Sequence, residues 1–198
     1  KPIVVNSRST SGSFGDSNGQ DYGMDQLVGL ERVGNQYILV RGDGQDEIEN
    51  VLIIAAQDDT NIYLNGNTTN PITLNKGNYT ILEGDKYDSN RGSIFINTSN
   101  SEDKLFVFQG VGRNYGGNAP SANQGMFFVP PLSCSNRGDV DNIPSINNIG
   151  NKEFTGGVTF VTRVGASILV NGEDINNLTG VEQNNVLGNN NYMTYKVK

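Results

Sequence analysis

The stretch Leu52-Ile53-Ile54-Ala55-Ala56 and, a little further on, Ile62-Tyr63-Leu64-Asn65-Gly66 recur in altered form 106 residues later. The later copies are Val158-Thr159-Phe160-Val161-Thr162 and Ile168-Leu169-Val170-Asn171-Gly172. In both places two short apolar and β-branched runs follow each other, and the second run ends in Asn-Gly, residues that favour turns. This matched order predicts a strand-rich unit that the chain uses twice.

The repeat extends toward the beginning of each unit. Residues 1–7 (KPIVVNS) match residues 104–110 (KLFVFQG), and Gly23-Met24 matches Gly125-Met126. The period of about 100 residues is the size of one small sandwich domain. We therefore predict a first unit over 1–103 and a second over 104–198. The second unit has no counterpart of residues 93–97, so we expect it to be incomplete and the chain to be a piece of a longer protein.

The fold class follows from the spacing of these apolar runs. Gly fills 25 of the 198 positions, Asn is more frequent still, and no stretch shows a helical period. Short runs that recur every 8–14 residues or so between turn signals favour all-β structure. We predict tandem antiparallel sandwich-like repeats, with propeller-like blades as the alternative that spacing cannot separate. Residues 105–108 (LFVF) are apolar on both faces, as expected for a central strand.

Composition excludes several classes of function. The chain has 14 Lys and Arg against 21 Asp and Glu, a net charge of −7, with no basic cluster, so nucleic acid is not an expected partner. Residues 51–56 form the longest clean apolar run, which is far shorter than the roughly 20 residues of a membrane-spanning helix. The chain has no His and one Cys, which removes His-based catalysis and Cys-pair zinc sites. We predict that it is not an enzyme and inserts in no membrane.

Two long Gly-, Ser- and Asn-rich segments are the candidate ligand-binding loops. They cover roughly residues 8–22 and 111–124, at equivalent places in the repeat. Long loops often carry function, and aromatic residues and Arg beside small polar residues are typical of adaptable binding surfaces. The alternative is that the aromatics anchor the loops to their own sandwich. The candidate ligand-binding residues are Arg8, Phe14, Tyr22, Arg113 and Tyr115.

Acidic clusters give weaker signals. Asp16, Asn18 and Asp21 place oxygen ligands around a Gly turn, and Asp139 and Asp141 form a second cluster, so calcium is a candidate cofactor at both. The alternative is a pair of ordinary Asx turns. Arg-Gly-Asp occurs at 41–43 and 137–139, which we attribute to chance in a Gly- and Asp-rich chain. Asp58-Asp59, between two apolar runs, predicts a hairpin turn.

Several segments resemble the N-terminal domain family of the IgGFc-binding proteins. They are residues 1–7, residues 21–26 (DYGMDQ), residues 125–134 (GMFFVPPLSC), residues 140–144 (VDNIP) and residues 156–162 (GGVTFVT). The likeness runs along nearly the whole chain and is greatest to a bacterial branch found in large secreted surface proteins. It implies an extracellular, bacterial cell-surface location and supplies no catalytic or ligand-contact pattern.

The resemblance and the loops together give two functional hypotheses. The first is a non-catalytic binding module of a bacterial surface adhesin, whose long loops recognise a glycan or a protein of a host or neighbouring cell. The second is a structural building block of a surface filament or stalk that self-associates through open strand edges.

Overall fold

The computed structural model describes residues 5–12, 21–111, 125–133, 138–139, 143, 146–149, 151–153 and 156–197. Within these residues the chain forms strands and 3-10 turns and no α-helix, and no helix is long and apolar enough to cross a membrane. The strands are β1 (Val5–Gly12), β2 (Asp21–Leu27), β3 (Gln36–Val40), β4 (Asn50–Ala55), β5 (Thr60–Leu64), β6 (Asn67–Leu74), β7 (Tyr79–Leu82), β8 (Ser93–Thr98), β9 (Leu105–Val111), β10 (Gly125–Phe128), β11 (Asn148–Ile149), β12 (Lys152–Glu153), β13 (Val158–Arg163), β14 (Leu169–Val170), β15 (Glu173–Asp174), β16 (Val181–Val186) and β17 (Asn189–Val197). The 3-10 helices are Leu30–Arg32, Asp46–Ile48, Gly84–Lys86 and Ile175–Asn177. The predicted all-β class is confirmed.

Two four-stranded antiparallel sheets form a sandwich. The first sheet has the strand order β10-β9-β4-β7 and the second has the order β3-β8-β5-β6. Because successive side chains of a strand point to opposite faces, alternate residues of both sheets meet between them. The core consists of Tyr37, Leu39, Val51, Ile53, Ile62, Leu82, Tyr87, Ile94, Ile96, Leu105, Val107 and Val129. The predicted sandwich packing is observed here, and the described sheets stack in layers rather than as radial blades.

A third sheet, with the order β13-β17-β16, covers the opposite face of the second sheet. Val186 of β16 and Tyr192 of β17 pack with Ile38 of β3 and Phe95 of β8. Strands β3 and β8 are therefore covered on both faces, which accounts for their apolar residues at consecutive positions. Among the described residues, the second sheet thus lies between the first and the third.

The predicted boundary between residues 103 and 104 falls inside the sandwich. It separates β8 from β9, but β9 pairs with β4 over six register positions, from Asn50 with Gly110 to Ala55 with Leu105. The first sheet therefore contains strands of both predicted units. The division into 1–103 and 104–198 does not coincide with a gap between sheets.

Backbone conformation at three turn positions follows the 106-residue spacing of the sequence repeat. Asp59 and Gly165 have φ of 52° and 82°, and Asn65 and Asn171 have φ of 53° and 52°. Gly66 and Gly172, the third pair, have φ of 75° and 83°. Each Asn is followed by a Gly with positive φ, in a two-residue loop that joins paired strands. Asn-Gly suits this turn because both central positions need a left-handed backbone.

Tyr37 ties the two sheets of the sandwich together. Its hydroxyl accepts a hydrogen bond from Gly34 N–H at 2.9 Å and donates one to the carbonyl of Leu105. Burial raises the pKa of Tyr37 to about 12, although the hydrogen bond with the Gly34 backbone lowers it. The phenol thus stays protonated and joins β3 to the start of β9.

Candidate functional site

The predicted binding loops connect the strands of two antiparallel pairs, β1 with β2 and β9 with β10. Arg8 lies within β1 and Tyr22 within β2, so these two residues belong to strands rather than to a loop. Phe14, Arg113 and Tyr115 lie outside the described residues. Contacts between β2 and β10 bring the two strand pairs together. The structure therefore places the bases of the predicted loops near each other.

The candidate calcium ligands are placed only in part. Asp21 is the first residue of β2, and Asp139 is exposed. Asp16, Asn18 and Asp141 fall outside the described part of the chain. Among the residues that the structure describes, no three acidic or Cys side chains form a group that could hold a metal ion. Calcium binding at these residues stays a prediction.

A groove of about 810 Å³ lies between the third sheet and the sandwich. We call it the interlayer groove. Its walls come from three parts of the chain: strand β3, the end of β9 with the segment that follows β10, and the strand pair β13-β17. The lining residues are Ile38, Leu39, Val40, Gln109, Phe127, Val129, Pro130, Leu132, Ser133, Thr159, Val161, Thr162, Arg163 and Tyr192.

The walls of the interlayer groove expose apolar and polar surface in about equal amounts. Phe127 is 49% exposed and Val161 is 38% exposed, although both are large hydrophobic residues. Tyr192, on β17, adds a second aromatic side chain. Mostly apolar concave sites with a few polar groups, and a volume of about 300–1,000 Å³, are typical of ligand-binding sites. The groove has the volume of such a site, with an even mixture of apolar and polar surface.

The polar end of the groove is held by a buried carboxylate. Gln109 Nε2 donates to Val40 O at 2.8 Å and lies 3.4 Å from Glu49 Oε1. Glu49 is fully buried and accepts hydrogen bonds from Gly42 N–H at 2.6 Å and Gly44 N–H at 2.9 Å. Such charge-assisted bonds fix the Gly42–Gly44 turn beside the end of β3. Gln109 is thereby held in a fixed position in the groove wall.

Tyr87 lies close to the same carboxylate. Its hydroxyl is buried and has no hydrogen-bond partner among the described residues. Burial first, and then the nearby Glu49 charge, raise the pKa of Tyr87, while Arg41 lowers it. The phenol is therefore neutral at physiological pH. It is packed in the core and does not line the groove.

The Arg-Gly-Asp tripeptide at 41–43 is engaged within the chain. Arg41 Nη2 lies 2.7 Å from Asp46 Oδ1 and donates to Gly44 O at 3.0 Å. Asp43 Oδ1 lies 2.7 Å from Lys196 Nζ of β17. Both charged side chains of the tripeptide thus hold a turn and the third sheet, which agrees with its interpretation as a chance match to an adhesion motif. A small cavity of about 110 Å³ adjoins this turn.

Sequence reasoning did not identify the interlayer groove. Its lining residues come from segments between Ile38 and Tyr192 that only the three-layer packing brings together. One signal was present: residues 127–132 (FFVPPL) put consecutive apolar residues and two prolines at the end of a strand pair. Prolines restrict a segment to edges and extended connections, where its side chains remain accessible.

Comparison with known proteins gives one match. A family model described as IgGFc binding protein matches residues 1–198, the whole chain. No curated protein and no solved structure matches the chain.

Proposed function

The chain belongs to the IgGFc binding protein family, and we propose that it is an extracellular, non-catalytic binding module that takes a protein ligand in the interlayer groove. In this proposal the module is part of a bacterial surface adhesin, and its ligand is a protein of a host or neighbouring cell. The name of the family supports protein as the ligand class. A glycan is the alternative ligand.

The single observation that supports this site most directly is the exposure of apolar side chains inside a concave surface. Phe127 and Val161 both line the groove and are exposed, so they offer apolar surface that a partner can bury. Clustered exposed apolar residues rimmed by polar ones are typical of interaction sites. Protein-binding surfaces are also enriched in aromatic residues and Arg, and the groove has Phe127, Tyr192 and Arg163.

The loops remain part of the proposal as a second contact area. Arg8, Phe14, Tyr22, Arg113 and Tyr115 lie in or beside the segments that connect β1 to β2 and β9 to β10. Since β10 contributes Phe127 to the groove, a ligand in the groove can extend toward these segments. Stacking on tyrosines and hydrogen bonds from arginines would then add to the affinity.

The test is a binding screen of the fluorescently labelled chain against an array of extracellular proteins, mucins and glycans, with calcium and with a chelator. The groove variant is Val161→Asp, which puts a charge on the apolar wall. Leu169→Asp is its matched control, because Leu169 is also an exposed strand residue, at 64%, but does not line the groove. We expect specific binding to a protein that Val161→Asp weakens at least about tenfold, or 1.4 kcal/mol, and that Leu169→Asp preserves.

The other outcomes separate the alternatives. Loss of binding in the Tyr22→Ala, Tyr115→Ala double variant, with Val161→Asp unaffected, would move the site to the loops. Specific binding to glycans and to no protein would show that the ligand is a glycan and not a protein. A screen without any specific binding at micromolar concentration would contradict the binding function and favour the filament building block.

A further inference from the structure

In the part of the chain that the structure describes, the edge of β13 beside the interlayer groove has no neighbouring strand. Among the described residues β13 pairs with β17 alone. Val164 N–H donates to Asn191 O at 2.9 Å, and the register pairs Phe160 with Tyr195 and Thr162 with Met193. In an antiparallel pair, hydrogen-bonded and non-hydrogen-bonded positions alternate. The peptide groups of Thr159 and Val161 therefore point away from β17, toward the open edge.

The repeat shows what the first unit has at this position. At the spacing of 106 residues, Thr159 corresponds to Ile53 of β4 and Val161 corresponds to Ala55. Ala55 N–H donates to Asn78 O at 3.0 Å, and Gly77 N–H donates to Ala55 O at 2.8 Å. These bonds begin the ladder between β4 and β7. The edge that is open in β13 is thus the edge that β7 occupies in β4.

We propose that an extended peptide segment of the protein ligand adds to this edge as a further strand, antiparallel to β13, with alternate side chains in the interlayer groove. The proposal rests on the function proposed above and adds the mode of recognition. Main-chain hydrogen bonds to Thr159 and Val161 supply affinity for any extended segment. The groove supplies selectivity for the side chains.

The chemistry of the edge and of the groove defines this segment. An alternating row of N–H and C=O groups along a strand edge is complementary to the backbone of another strand. The groove side of β13 presents Thr159 and Val161, and the opposite wall presents Phe127, Val129 and Leu132. The inward-facing residues of the ligand that lie beside Thr159 and Val161 are therefore apolar or uncharged.

The chain itself supplies a defined probe, the synthetic peptide of residues 77–83 (GNYTILE), which contains β7. We would add it to the full isotopically labelled chain and measure amide hydrogen exchange by NMR. We expect the amides of Thr159 and Val161 to exchange at least about tenfold more slowly with saturating peptide. The amides of Phe160 and Thr162, which already bond to β17, should not change.

Two modified peptides provide a matched control without altering the protein. Ala55 and Asn78 are hydrogen-bonded across β4 and β7, and Thr80 lies two residues beyond Asn78, opposite Ile53. Because bonded positions alternate along a strand, the N–H of Thr80 faces β4 and the N–H of Ile81 faces away from it. N-methylation at Thr80 should therefore abolish the protection of Thr159 and Val161, and N-methylation at Ile81 should preserve it.

Other results would overturn the proposal in distinguishable ways. Shifts of groove side chains without amide protection would leave the groove as a binding site and reject strand addition. The amides of Thr159 and Val161 could instead be protected in the chain alone, with a mass in sedimentation that rises with concentration. That result would identify a second copy of the chain as the occupant of the edge and would reject a peptide ligand. No response to any peptide would reject the open edge as an acceptor. The array screen tests the proposed function independently of all three results.

Discussion

The contact between two turns that holds the third sheet against the sandwich can be tested with one methyl group. Gly188, in the turn between β16 and β17, has φ of +82° and lies against the backbone of Asn65 and Gly66 in the turn between β5 and β6. A Cβ at position 188 would overlap the Asn65 carbonyl carbon and the Gly66 nitrogen. Backbone atoms cannot move aside as a flexible side chain can, so the two turns would have to separate.

Gly165 is a matched control for this substitution. It also has φ of +82°, but a Cβ at position 165 would meet nothing within 4 Å. An Ala in left-handed backbone costs about 1–2 kcal/mol in either place. Overlap in a packed contact adds about 1–3 kcal/mol. We therefore expect Gly165→Ala to lower the free energy of unfolding by about 1–2 kcal/mol and Gly188→Ala by about 2–5 kcal/mol.

The assay is urea unfolding followed by far-UV circular dichroism and by tyrosine fluorescence, which the absence of Trp makes usable. A change of the midpoint at constant slope reports stability, whereas a lower slope for Gly188→Ala would show the third sheet detaching before the sandwich unfolds. Equal losses for the two variants, within about 0.5 kcal/mol, would refute the close approach of the turns and with it the position assigned to the third sheet.

Three further predictions concern buried polar groups and turns. Because the pKa of Tyr37 is about 12 in the folded chain against 10.0 normally, its contribution to stability is complete below pH 10 and is lost as the pH rises toward 12; Tyr37→Phe should remove that part of the pH dependence in urea unfolding. Glu49→Gln puts an amide donor near the N–H groups of Gly42 and Gly44 and should lower the free energy of unfolding by about 2–4 kcal/mol. The exposed Glu47→Gln is its control and should lower the free energy of unfolding by less than about 0.5 kcal/mol in the same assay. Asn65→Ala should lower the melting temperature more than Asn171→Ala, because Asn65 Oδ1 also accepts a hydrogen bond from Phe95 N–H at 2.9 Å. The extra loss of unfolding free energy should be about 1 kcal/mol. Equal shifts of the melting temperature would contradict a structural role for that bond.

Local features of the fold could be predicted from the sequence because they depend on local chemistry. The apolar runs around Ile53 and Phe95 became strands, and Asn65-Gly66 became a two-residue turn, because β-branched residues and Asn-Gly favour these conformations by themselves. The prediction that residues 105–108 form a central strand is also confirmed, since β9 lies between β10 and β4.

Pairing between distant strands could not be predicted in the same way. The turn at Asp58-Asp59 was predicted to close a hairpin, and this is wrong: it connects β4 in the first sheet to β5 in the second. Asp59 does have the positive φ of a tight turn, so the turn itself was predicted and its topology was not. A strand with two apolar faces can pair with several partners, and only the three-dimensional packing selects among them.

The predicted division at residue 103 runs through one sheet of the sandwich. β9 begins the predicted second unit, yet it lies between β10 and β4 in the first sheet. Leu105 and Val107 of β9 are fully buried against residues of the first repeat. A division at residue 103 would thus leave β4 with an exposed apolar edge and remove part of the core. The interlayer groove likewise has residues of both predicted units, since β3 lies before residue 103 and β13 lies after it. A ligand that binds there is recognised by the assembled layers, and any change that loosens the third sheet from the sandwich should weaken its binding without touching a lining residue.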